Sequence, residues 1–112
     1  MEPNSAISAL SALAQETRLD VFRRLMQCMP EGIAAGDLAE QVGVPANTMS
    51  THLAILARAG LVRSDRRGRT INYAADLEGI RSLVQFLIED CCRGEPEICN
   101  TLLEAALPAC CP

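Results

Sequence analysis

The chain has 112 residues, 49% of them apolar and only 3% aromatic, with a formal net charge of −4. That length suits one domain, the apolar share excludes a disordered chain, and the scarcity of aromatics leaves Leu, Ile, Val, Ala and Met to build a core of packed helices. The acidic sum does not exclude an anionic partner: all ten basic residues are Arg, and Arg58, Arg63, Arg66, Arg67 and Arg69 crowd a short stretch opposed only by Asp65, while acids dominate from Asp76 onward.

In chain order, "ISALSALAQ" sets Ile7, Leu10 and Leu13 at helical spacing. "TRLDVFRRLMQCM" repeats the pattern with Leu19, Phe22, Leu25, Met26 and Met29; Thr17 is the expected cap, and Pro30 with Gly32 the expected stop. "GDLAEQVGVPANTMSTHLAILARAGLV" then reads as a helix over 37–42, a tight turn at Gly43 and a second helix over 46–59. Ala39, Val44, Met49, Leu53 and Leu56 face inward and Gly60 ends the second helix, a helix-turn-helix pattern. Cys28, among Leu25, Met26 and Met29, is expected in the core.

The period changes after Gly60. Leu61 and Val62 before "DRRGR", with Ile71 and Tyr73 after it, predict a β-hairpin with Gly68 at its tip and arginines along its loop. A last helix is expected over 77–92, with Ile80, Leu83, Val84, Leu87 and Ile88 as an apolar stripe. The expected fold class is therefore mainly α with a small β-hairpin, a winged helix-turn-helix. Residues 1–92 are expected to form one domain, and 93–112 a cysteine-containing extension of it. No segment nears the roughly 20 apolar residues of a membrane span, and "MEPNSAISAL" lacks the basic lead of a secretion signal, so no membrane partner and a cytoplasmic location are expected.

From about Leu10 to Ile88 these residues resemble the ArsR family of winged-helix metalloregulators, through "TRLDVFRRL", "NTMSTHLAILARAGLV" and "DRRGRTINY". The resemblance implies a bacterial repressor that binds double-stranded operator DNA as a homodimer and leaves it when a metal or metalloid binds. The second helix of the motif would enter the major groove with its N-terminal half leading, presenting Asn47, Thr48, Ser50, Thr51 and His52. Arg66, Arg67 and Arg69 would grip the backbone or the minor groove. His52 is the chain's single histidine and serves either as a DNA contact or as a hydrogen bond that supports the helix. An enzyme is not expected, because no base stands beside a reactive thiol.

Many arsenite-sensing members of that family carry a cysteine pair in the helix before the recognition helix. Here Ala34, Ala35 and Gly36 stand in that place. The remaining thiols are Cys91, Cys92 and Cys99 in "CCRGEPEIC", with Cys110 and Cys111 near the end. On an unbroken helix Cys92 and Cys99 would lie about 10 Å apart along the axis, and neighbouring side chains diverge by about 100°. Gly94 and Pro96 break that helix, so the chain can turn back and gather Cys91, Cys92 and Cys99 into a three-sulfur metal site. With no histidine to spare, such a site suits trivalent arsenic or antimony as effector better than tetrahedral zinc. The alternatives are a thiol redox switch, or cadmium or lead on the same sulfurs. Cys110 and Cys111 are expected in the tail.

Overall fold

The computed structural model describes residues 1–89. Its elements run α1 (Pro3–Leu13), α2 (Glu16–Gln27), β1 (Ile33–Ala34), α3 (Ala35–Val42), α4 (Ala46–Arg58), β2 (Val62–Arg67), β3 (Thr70–Ala75) and α5 (Leu77–Ile88). The expected hairpin is present, with Val62 opposite Ala75 and Arg67 opposite Thr70. It is part of a three-stranded antiparallel sheet of order β1-β3-β2, because Ile33 pairs with Tyr73 and Ala34 with Asn72. A two-residue strand has no alternation to read in advance; it forms because the wing's inner strand offers it a free edge.

α1 turns a different face inward from the one its large residues suggest. Ala6, Ala9 and Ala12 are buried, whereas Ile7 is 60% and Leu10 43% exposed. Small side chains let α1 approach α2, α4 and α5 closely. The large ones are left on the outside. α2 starts one residue before the expected cap: the Gln15 side chain accepts from the Arg18 amide at 2.8 Å, and Thr17 lies within the helix. A long amide from an extended Gln15 here performs the capping usually given to a hydroxyl. Val21, Phe22 and Leu25 point into the core, while Leu19 and Met26 face outward. Cys28 is exposed, a correction to the core position expected of it: it follows the last turn of α2, where the chain leaves the core.

The helix-turn-helix is α3, the turn at Gly43 and α4. Gly43 takes φ +81°, and both its amide and that of Val44 bond to the Ala39 carbonyl, closing α3 within two residues. α4 then buries Met49, Leu53 and Leu56 in the same core as Leu25 and Leu38. Its end is closed by Gly60 at φ +79°, with the Leu61 amide reaching back to the Leu56 carbonyl at 3.1 Å.

α5 is seated on that same turn. The Asp76 carboxylate caps it by accepting from the amides of Glu78 and Gly79, and the Asp76 amide donates to the Leu61 carbonyl at 2.9 Å. Gly79 lies so close to the Gly60 carbonyl that no side chain fits between them. The expected apolar stripe divides into two faces. Leu83 is buried and Ile80 packs on the core, joined by Phe86, while Leu77, Val84 and Leu87 are exposed. The expected continuation of this helix to Cys92, the bend at Gly94 and Pro96, and Cys91, Cys92, Cys99, Cys110 and Cys111 lie outside the described residues.

Two glycines give opposite expectations for one substitution. Alanine is intrinsically the better helix former by about 1 kcal/mol, and nothing lies within 4 Å of a Cβ added at Gly36. Gly36→Ala should therefore stabilise by roughly 0.5–1 kcal/mol. Gly79→Ala should destabilise by about 1–3 kcal/mol through overpacking against the Gly60 carbonyl. Urea-unfolding midpoints of the two variants measure both signs.

Candidate nucleic-acid interface

The two faces of α4 are set by its sequence. Met49, Leu53 and Leu56 recur at helical spacing and are fully buried, so Asn47, Thr48, Ser50 and Thr51 are turned outward, and all four are exposed. Local bonds stiffen the helix start: Asn47 Oδ1 accepts from the Thr48 amide at 3.0 Å, and Thr51 Oγ1 donates to the Asn47 carbonyl at 3.2 Å. Among the described residues, Asn47 Nδ2 and the hydroxyls of Thr48 and Ser50 have no intramolecular partner. The face therefore presents donors and acceptors to solvent on a rigid support, the chemistry that base edges and phosphates engage.

The wing carries its arginines differently from one another. Arg66 and Arg67 are adjacent in β2, so the pleat sends them to opposite faces of the ribbon. Arg67 Nε donates to Asp65 Oδ2 at 3.1 Å; both side chains are exposed, so this pair contributes little to stability. Arg66 Nε points back to the Gly68 carbonyl at 3.4 Å. Arg69 shares the two-residue tip with Gly68, which takes φ +66°, and makes no side-chain bond among the described residues. The wing's base is held by Asn72, whose Nδ2 donates to the Glu31 carbonyl at 2.8 Å, a contact across 41 residues that no local pattern announces.

His52 behaves unlike its exposed neighbours. It is half-buried, and its Nδ1 lies 3.3 Å from an Arg18 Nη1. A guanidinium has donors only, so in this contact Nδ1 is the acceptor. The same Arg18 donates through Nε to the Ala12 carbonyl at the end of α1, at 2.7 Å. This contact is of the kind that a supporting role for His52 requires.

Among the described residues no cluster of three His, Cys, Asp or Glu side chains is placed to hold a metal. Ala34 ends β1 and precedes α3, and Ala35 and Gly36 are the first residues of α3. Among the described residues no helix is long and apolar enough to cross a membrane.

Residues 13–65 match the family described as Helix-turn-helix domain. Over 78 residues the chain is 41% identical to the HTH-type transcriptional regulator KmtR of Mycobacterium tuberculosis, a match covering 70% of this chain and 58% of KmtR. It is 30% identical over 101 residues to the HTH-type transcriptional regulator YbzH of Bacillus subtilis, covering 78% of this chain and 96% of YbzH. Among solved structures, the homodimeric winged helix-turn-helix DNA-binding domain of Mb0332 from Mycobacterium bovis superposes with a TM-score of 0.63 at 27% identity, covering 78% of this chain and 81% of that one.

The division of α4 into two faces is measurable. Met49→Ala should lower unfolding free energy by about 2–5 kcal/mol, whereas Ser50→Ala and Asp65→Ala should each change it by less than about 0.5 kcal/mol. Chemical denaturation monitored by circular dichroism reads all three.

Proposed function

Since this chain belongs to the ArsR family of winged-helix transcriptional regulators, we propose that it is a homodimeric repressor of double-stranded operator DNA, released by trivalent arsenic or antimony. The observation that carries the DNA reading is the outward polar face of α4, fixed by its buried Met49, Leu53 and Leu56, beside a wing tipped with Arg66, Arg67 and Arg69. In this reading α4 lies in the major groove with Asn47, Thr48, Ser50 and Thr51 over the base edges and phosphates. The wing arginines neutralise backbone phosphates.

The homodimer is supported by the apolar surface left on two touching helices. Ile7 and Leu10 of α1, with Val84 and Leu87 of α5, are exposed although both helices pack on the core through their other faces. A second copy laid on that surface removes it from water at roughly 25 cal/mol per Å², and places two α4 helices about 34 Å apart on a two-fold operator.

For the effector the support is the donor set. His52 is engaged with Arg18, so nitrogen ligands are scarce, and three of the six cysteines, Cys91, Cys92 and Cys99, fall within nine positions around Gly94 and Pro96. Arsenous acid exchanges three hydroxyls for three protonated thiols with loss of three waters, and no electrons move. The site continues the chain from α5, the helix whose exposed face belongs to the proposed dimer, so ligation there biases dimer geometry. Coupling of this kind amounts to about 1–3 kcal/mol, a severalfold to hundredfold loss of operator affinity.

Two measurements bear on this reading. Arsenite added under strict reduction should release the wild-type chain from its operator. Single Cys91→Ser, Cys92→Ser and Cys99→Ser variants should bind DNA normally and stay bound; release by peroxide alone, with none by arsenite, would instead favour a thiol redox switch. Separately, Arg69→Ala should weaken binding about equally on every sequence and reduce the slope of log K against log salt by about 0.9, as for one lost phosphate contact.

A further inference from the structure

The guanidinium of Arg18 sits where three helices meet. It belongs to the first turns of α2, its Nε donates to the Ala12 carbonyl in the last turn of α1 at 2.7 Å, and its Nη1 donates to His52 Nδ1 in the middle of α4 at 3.3 Å. Arg18 also lines a cavity of about 330 Å³ between α1 and α4, together with Ile7, Ser11, Ile55 and Arg58, so this side of the α1–α4 contact is left open. Two hydrogen bonds from one rigid fork span the gap instead, and among the described residues no other side-chain hydrogen bond reaches His52.

We propose that Arg18 is the positioning residue of the DNA-reading helix, holding α4 to α1 through His52 Nδ1. This rests on the reading of α4 as the operator-binding element, and it assigns His52 an inward role rather than a base or phosphate contact. Because α1 also carries the exposed Ile7 and Leu10 of the proposed dimer surface, the link gives a displacement of α1 a direct mechanical route to the face that meets DNA. The planar fork matters: lysine offers a point charge and cannot serve a carbonyl and an imidazole in fixed directions at once.

Asparagine and glutamine separate the inward role from an outward one. In His52→Asn the amide oxygen takes the place of Nδ1, while in His52→Gln the amide nitrogen takes the place of Nε2–H. His52→Asn should keep operator affinity within about threefold of wild type, and His52→Gln and Arg18→Lys should each lower it by roughly tenfold; in the double variant Arg18→Lys/His52→Gln the two losses should fail to add, as for residues in one contact. If His52→Gln binds normally and His52→Asn does not, His52 touches DNA through Nε2 and the proposal is wrong. A second measurement needs no DNA. The chain contains one histidine, so its ¹⁵N imidazole spectrum is a single pair of resonances. The Nδ1 resonance should be that of an unprotonated acceptor and should move in Arg18→Gln but not in Arg58→Gln; a proton found on Nδ1, or no response to Arg18→Gln, overturns the link. Failure of the wild-type chain to bind any duplex would sink the repressor reading and the positioning role with it, while the spectrum would still report whether the Arg18–His52 bond exists.

Discussion

The constraint on which the rest depends is the burial of one stripe of α4. Met49, Leu53 and Leu56 are removed from water, and each such side chain contributes on the order of 1.5–3 kcal/mol. A rotation of α4 about its axis would expose the stripe, so the helix has one orientation available to it. Asn47, Thr48, Ser50 and Thr51 are outward as a consequence. They are held at the surface by what lies behind them, and their own local bonds add only the stiffness of the helix start.

The same core decides where the neighbouring elements go. Gly43 and Gly60, both in the left-handed region, end α3 and α4 abruptly. The second of these turns is also the seat of α5, through the Asp76 amide and the close approach of Gly79 to the Gly60 carbonyl. The end of α4 and the start of α5 thus share one junction. Arg18 supplies a second junction, near the middle of α4, where α1 ends. α4 is tied at two points to the two helices that carry the exposed apolar surface, the arrangement that the proposed coupling between dimer geometry and operator binding requires.

The apolar surface of the described residues is distributed as the proposed homodimer would use it. α1 uses three alanines to pack and leaves Ile7 and Leu10 outside, and α5 packs with Leu83 and leaves Leu87 55% exposed. In the proposed dimer the larger side chains would bury against the second copy.

The sequence by itself determined the helices, the hairpin, their order and the faces of α4, because those follow from local properties: spacing of apolar side chains, and glycines where a left-handed residue is needed. The helix-turn-helix, the hairpin with Gly68 at its tip and the exposed Asn47, Thr48, Ser50 and Thr51 were legible on that basis. What the tertiary structure decided were matters of competition between segments far apart in the chain. Which side of α1 faces inward depends on how closely α2 and α4 approach it; the third strand exists only because β3 has an edge to offer Ile33 and Ala34; Cys28 is exposed although its neighbours are apolar. The bonds from Arg18 to Ala12 and His52, and from Asn72 to Glu31, join residues with no common period, and a one-dimensional pattern carries no record of a contact that the fold alone creates.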